Sequence, residues 1–145
     1  ALAKAAMFLA AGLIAAALGD DRVAALGPAG RAVPLSVLAF ALAGLSLMGI
    51  PPSGGFTAKW LLLGAAIETG QWWWALVVVG GGLLTGGYLY RVLSAAIGGE
   101  GGPAAAVPLA PQAVALGLAV LSVGLGMLPL YSFGLVQVGR PGMAP

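Results

Sequence analysis

The chain has 145 residues, 61% of them hydrophobic, a mean hydropathy of +1.06, and ten charged side chains, six basic and four acidic. At 7% charged, against about 25% in soluble domains, it cannot coat a globule in water, and its hydrophobicity excludes disorder. With no His and no Cys it has no disulfide, iron–sulfur cluster, Ser-His triad or ordinary zinc site, and its four acids offer no metal-seating pair.

No catalytic residue, metal or cofactor is therefore expected. The net charge of +2 rests on six scattered residues and makes no case for nucleic acid. Alanine and glycine together fill more than a third of the chain, as suits helices packed closely in lipid. The fold class implied is all-α: a polytopic transmembrane helix bundle in a single domain over residues 1–145.

A bilayer core about 30 Å thick needs about 20 apolar residues as helix. The first run, Ala1 to Leu18, is broken only by Lys4 and ends at Gly19-Asp20-Asp21-Arg22. A polar link with Gly27, Pro28, Gly30 and Arg31 follows. The second run, Val33 to Ile50, is uncharged and has Pro34 near its start, where proline is tolerated. It stops at Pro51-Pro52-Ser53-Gly54-Gly55, a strong breaker, and a third segment runs from Phe56 to Glu68.

The third segment would make a helix only about 20 Å long, too short to span alone. Leu61 to Ile67 is apolar on every face, which argues against a surface helix. The second and third segments are better joined as one discontinuous span, with Pro51, Pro52, Ser53, Gly54 and Gly55 as its hinge. Irregular backbone at membrane depth survives only where protein buries it or it lines a wet cavity. The break is thus a functional candidate.

The fourth run, Gln71 to Ile97, has Trp72-Trp73-Trp74 as an aromatic anchor at one end and Tyr88, Tyr90 and Arg91 at the other. Trp72 to Tyr90 is about 27 Å of helix, close to the hydrocarbon thickness. Gly82 and Gly86 form a GxxxG pair, a weak signal in so glycine-rich a chain. A Gly- and Pro-rich interval precedes a last span from about Pro111 to Val136. The expectation is about four crossings, one of them broken. Arg22, Arg31 and Arg91 then lie on one side and Arg140 on the other, which makes the first side cytoplasmic. A start inside an apolar helix without an initiator Met reads as part of a longer polypeptide.

Lys59 is the most informative residue, because it follows the break in the first turn of the short half-helix. Burial and the positive end of that half-helix oppose a charge there, whereas the carbonyl end of the preceding one, near Gly49 and Ile50, favours it. A lysine between opposed influences and beside water can exchange a proton, as a relay requires. The alternative is that it snorkels to a headgroup. Glu68 lies about 13.5 Å further along the helix and on the opposite face, so it is no counter-charge. Lys4 is an interfacial anchor if the chain starts there, or an intramembrane ionisable group if it continues upstream. Ser46, Thr57 and Thr85 suit either helix packing or a hydrated path.

The run Ala3-Lys4-Ala5-Ala6-Met7-Phe8-Leu9-Ala10-Ala11-Gly12 resembles the "KAxxFLxxG" element of the proton-pumping antiporter-like subunits. These include membrane-arm subunits of respiratory complex I (NADH-quinone oxidoreductase), subunits of Mrp-type cation/proton antiporters, and related hydrogenase subunits. Leu45-Ser46-Leu47-Met48-Gly49-Ile50-Pro51-Pro52-Ser53-Gly54-Gly55-Phe56-Thr57-Ala58-Lys59 resembles their longer and more specific "LSLxGIPPxxGFxxK" element. The resemblance covers nearly the whole chain but only the C-terminal portion of such a subunit. It implies about 14 helices in two inverted repeats, each with a broken helix. In that frame Lys59 matches the lysine of the second broken helix, near the proton exit, and Lys4 a central-axis lysine. The family's glutamate–lysine pair belongs to a half not represented here.

The expected function is proton, or coupled cation and proton, translocation within a multi-subunit antiporter or respiratory complex of the bacterial inner membrane. Lys59 and Lys4 would be the relay residues, and the implied partners are other membrane subunits, the lipid bilayer, protons and, where a cation is coupled, Na+. Two alternatives stand beside it: a structural membrane subunit that only assembles a complex, and the core of an unrelated small-solute transporter.

Overall fold

The computed structural model describes residues 1–99 and 102–127, and among these every regular element is helical. The helices are α1 (Leu2–Leu18), the single-turn α2 (Ala29–Ala32), α3 (Pro34–Met48), α4 (Gly54–Glu68), α5 (Trp73–Gly98) and α6 (Leu109–Met127). The all-α membrane bundle read from the sequence is the observed fold. Helices α5 and α6 are each long and apolar enough to cross a bilayer, while α1 and α3 are shorter apolar helices.

Local chemistry sets most boundaries. Helix α1 ends at Gly19, whose φ of 66° is the left-handed conformation that glycine adopts without strain. Pro34 occupies the first turn of α3, where its missing N–H would have had no partner anyway. Helix α6 starts at Leu109 rather than near Pro111, so that proline lies in the first turn for the same reason. The expected end at Val136 lies outside the described residues.

The polar link between the first two runs is more ordered than expected. It folds into a 3₁₀ turn, Val23–Ala25, and α2, burying Leu26, Ala29 and Val33 while Arg22 and Arg31 stay exposed. Gly30 lies against the backbone of Ala96 and Gly27 against Gly99, so the link closes one end of α5. Only its charged residues behave as a solvated loop; its apolar residues are core.

Helix α1 turns one stripe inward, Ala3, Ala6, Ala10, Ile14 and Ala17, at helical spacing. Alanine along this stripe lets α1 lie close to α3 and α6, the contact mode of helices in lipid. The segment leading into α6 passes the far end of α1, where the Ala105 N–H donates to the Ala17 carbonyl at 2.7 Å.

Helix α5 measures the broken span. Going down α3, Gly30 just before it meets Ala96, Gly44 meets Leu89, and Met48 meets Gly82 and Gly86. Helix α4 continues in the same direction: Lys59 lies at Gly82, and Ala66 and Thr69 share a cavity with Trp74. Thus α3 and α4, 15 residues each, run end to end along a 26-residue helix about 39 Å long. Helix α6 runs beside α3 in the same sense and reaches the joint, where Gly126 meets Ser53 and Gly54.

Candidate functional site

The joint is built from two helix ends. Helix α3 stops at Gly49, with φ 85°, whose N–H donates to the carbonyls of Leu45 (3.1 Å) and Ser46 (3.2 Å). The Ile50 N–H also reaches Leu45, at 3.3 Å. A helix C-terminus leaves four carbonyls without intrahelical partners, and these bonds do not reach that of Met48. After Pro51 and Pro52, Ser53 caps α4: its Oγ accepts from the Phe56 N–H at 3.3 Å.

The irregular stretch is therefore Gly49 to Ser53. Gly54 and Gly55, expected within the hinge, are instead the first turn of α4, which begins two residues before the anticipated Phe56. The reason is proximity. A side chain on Gly54 would lie 3.1 Å from the Ser122 carbonyl, and one on Gly55 would overlap the Ser46 carbonyl. The two glycines admit the base of α4 into the angle between α3 and α6.

Lys59, in the second turn of α4, reaches back across the joint. Its Nζ donates to the Met48 carbonyl at 2.8 Å, the one side-chain hydrogen bond linking α3 to α4 among the described residues. The acceptor belongs to the negative end of the α3 dipole, and the bond to a cationic donor is charge-assisted. The side chain is half-buried and lies across Gly49 and Gly82, in a cavity of about 260 Å³ walled also by Ile50, Phe56 and Trp60. Among the described residues the only ion pair joins Arg22 to Asp20, at 3.8 Å in the exposed link. Glu68 lies exposed at the far end of α4.

Lys4 is not brought to this site. It lies in the first turn of α1, outside the alanine stripe and fully on the exposed face with Phe8. Helix α1 packs on α3 and α6, whereas α4 leans on α5 and α6. Of the hydroxyls that suit packing or a path, Ser46 is buried and shares a 2.9 Å hydrogen bond with Ser122, and Thr85 donates to the Gly81 carbonyl of its own helix at 2.7 Å.

Residues 1–85 match the transmembrane family described as NADH:quinone oxidoreductase/Mrp antiporter, TM. The chain belongs to that family. The matched range holds Lys4, the whole joint, Lys59 and Gly82. As a family member it is an integral membrane chain of the bacterial inner membrane. NADH-quinone oxidoreductase subunit N of Desulforudis audaxviator is 36% identical over 93 residues, 64% of this chain and 19% of the relative. Subunit N 1 of Solidesulfovibrio magneticus is 36% identical over 144 residues, 94% of this chain and 31% of the relative. Subunit N 2 of Roseiflexus castenholzii is 35% identical over 108 residues, 72% and 21%. The chain thus spans between about a fifth and a third of the length of these relatives.

Three members of the site were not singled out from the family motifs. The acceptor is a main-chain carbonyl, that of Met48, which has no side-chain signature. Gly49 lies inside the motif but was read only as a helix end. Gly82 was visible as half of a GxxxG pair, yet its use differs from a helix-dimer face: Gly82 receives Lys59 and the Met48 carbonyl, and Gly86 receives the Met48 thioether.

Proposed function

We propose that the chain is the membrane-embedded portion of a proton-translocating subunit of the NADH-quinone oxidoreductase type, with Lys59 as a protonatable relay residue at its helix break. The observation that carries this is the seat of Lys59: a lysine bonded to a helix-end carbonyl, within an apolar cavity, at an interruption between two half-helices. A cation that only anchored the chain would point away from the joint to a headgroup. Here it points into the joint. A family of relatives named as quinone oxidoreductase subunits supports the complex I type over the antiporter type.

In this reading the chain crosses the bilayer four times, through α1, the α3–α4 pair, α5 and α6. Other membrane subunits of the complex complete the proton path and supply what α4 and the outward face of α1 lack. Lys4 is a second relay group on that outward face, connected to Lys59 by water. Protons are the transported species, with a coupled cation such as Na+ as the variant reading.

Lys59→Ala in the full-length subunit within its complex is the direct test. Proton translocation should fall to background while the complex still assembles. Normal translocation by this variant would sink the relay, and failure to assemble would favour a purely structural subunit.

A further inference from the structure

The space that holds the Lys59 head exists because two glycines lack side chains. A Cβ on Gly49 would lie 2.7 Å from Lys59 Cδ and 3.4 Å from Nζ. A Cβ on Gly82, across the cavity on α5, would lie 3.0 Å from Nζ and 3.2 Å from the Met48 oxygen. It would press on donor and acceptor together. Gly82 is itself buried, so a methyl there has no outward direction to take.

We propose that Gly82 is a positioning residue of the Lys59 site, its missing side chain seating the amine on the Met48 carbonyl and thereby setting how readily the amine leaves that bond. This rests on the reading of Lys59 as a relay. The physical step is short. A charge-assisted bond to a carbonyl at a helix C-terminus weakens steeply with distance. Displacing Nζ weakens that bond without adding or removing any charge.

Among the described residues no other titratable group lies at this seat. Helices α3 and α6 contain none, and Tyr88, Tyr90 and Arg91 of α5 lie at least six positions beyond Gly82, outside the cavity lining. On α4 itself Glu68 is two and a half turns away. The carbonyl seat, rather than a carboxylate, is what holds the lysine.

Gly86 provides the control within the same helix face. The atoms nearest its Cβ would be those of the Met48 side chain, at 2.9 Å from Cε and 3.1 Å from Sδ. A thioether is unbranched and can rotate aside, whereas a carbonyl at a helix end cannot. The same Gly→Ala change one turn apart therefore separates loss of the seat from loss of smooth packing.

The test uses the full-length subunit in its complex, with wild type, Gly82→Ala, Gly86→Ala and Lys59→Ala. Trace acylation with acetic anhydride, read by mass spectrometry, reports the reactivity of Lys59 relative to a lysine-containing peptide added in solution. It needs no translocation, so it judges the seat even if Lys59→Ala transports normally and the relay falls. In Gly82→Ala the acylation of Lys59 relative to that peptide should rise about threefold at fixed pH, as expected for losing one hydrogen bond, and the rate of translocation should change. Gly86→Ala should match wild type in both. Wild-type values in Gly82→Ala, or equal changes in the two variants, would overturn the proposal. If Gly82→Ala does not assemble, the wild-type protein still decides: Lys59 must acylate more slowly than the free peptide, and equal rates would refute the seat.

Discussion

The two halves of the broken span have the same length, yet they are held differently. Helix α3 buries seven residues, among them Phe40, Ala43, Gly44 and Ser46, between α1, α5 and α6. Helix α4 buries only Ala66, and Trp60, Leu62 and Ile67 are each more than 60% exposed. Three glycines in α4 against one in α3 lower its helix propensity, but the larger difference is the neighbours. Helix α3 is fixed along its length, whereas α4 is fixed at its base, by the Ser53 cap, the glycine contacts and Lys59. The candidate relay residue thus sits where a firmly packed half meets one held mainly by its root.

The largest expected effect comes from filling that root. Gly55→Ala puts a methyl into the Ser46 carbonyl, backbone against backbone, where no side-chain rotation gives relief. Assembled subunit in membranes should be largely lost. Gly64→Ala on the same helix meets nothing within 4 Å and replaces a poor helix former by a good one. It should assemble normally and gain up to about 1 kcal/mol of helix stability. Equal tolerance of the two substitutions, read by the amount of assembled complex, would break the view that α4 is held at its base.

A second contrast sets core against flank. Phe40 is 4% exposed, and Phe40→Ala should cost about 3 kcal/mol in resistance of the subunit to denaturation, the lower end of the range for buried aromatics. Leu62, 61% exposed, should lose almost nothing within this chain on the same truncation. A large cost at Leu62 in the intact complex, absent from the isolated subunit, would show that another subunit or segment covers α4. That would sharpen the comparison: α3 would be internal packing and α4 an interface.

These contrasts also explain what could be read beforehand. The Pro51-Pro52-Ser53-Gly54-Gly55 run announces a break, because no regular helix passes two prolines and two glycines. The apolar third segment, too short to span, announces that the break lies within one crossing. Lys59 follows from the cost of a charge among such neighbours. The extent of the irregular stretch did not follow, since glycine serves both as a breaker and as a site of close approach, and only tertiary contact distinguishes them at Gly54 and Gly55. The acceptor for Lys59 was legible only as a region, the carbonyl end near Gly49 and Ile50. Which carbonyl is left over depends on how Gly49 and Ile50 fold back. The exposure of Lys4 depended on which face of α1 packs inward, and an alanine-rich helix shows little contrast between its faces.

The smallest effect concerns the bond that ties the well-packed half to its neighbour just above the joint. Ser46 and Ser122 share a 2.9 Å hydrogen bond while their carbonyls lie against Gly55 and Gly54, so this seam adjoins the root of α4. Hydrogen bonds between membrane helices couple by about 0.6 kcal/mol in double-mutant cycles, because the separated helices also find partners. A cycle of Ser46→Ala, Ser122→Ala and the double variant should return a coupling of that size in stability, with translocation unchanged in all three. The same cycle read by translocation decides between the two roles the hydroxyl could have. Loss of transport in Ser46→Ala at unchanged stability would move Ser46 from the seam into the hydrated path, and would extend the proton-handling region from the joint into the well-packed half.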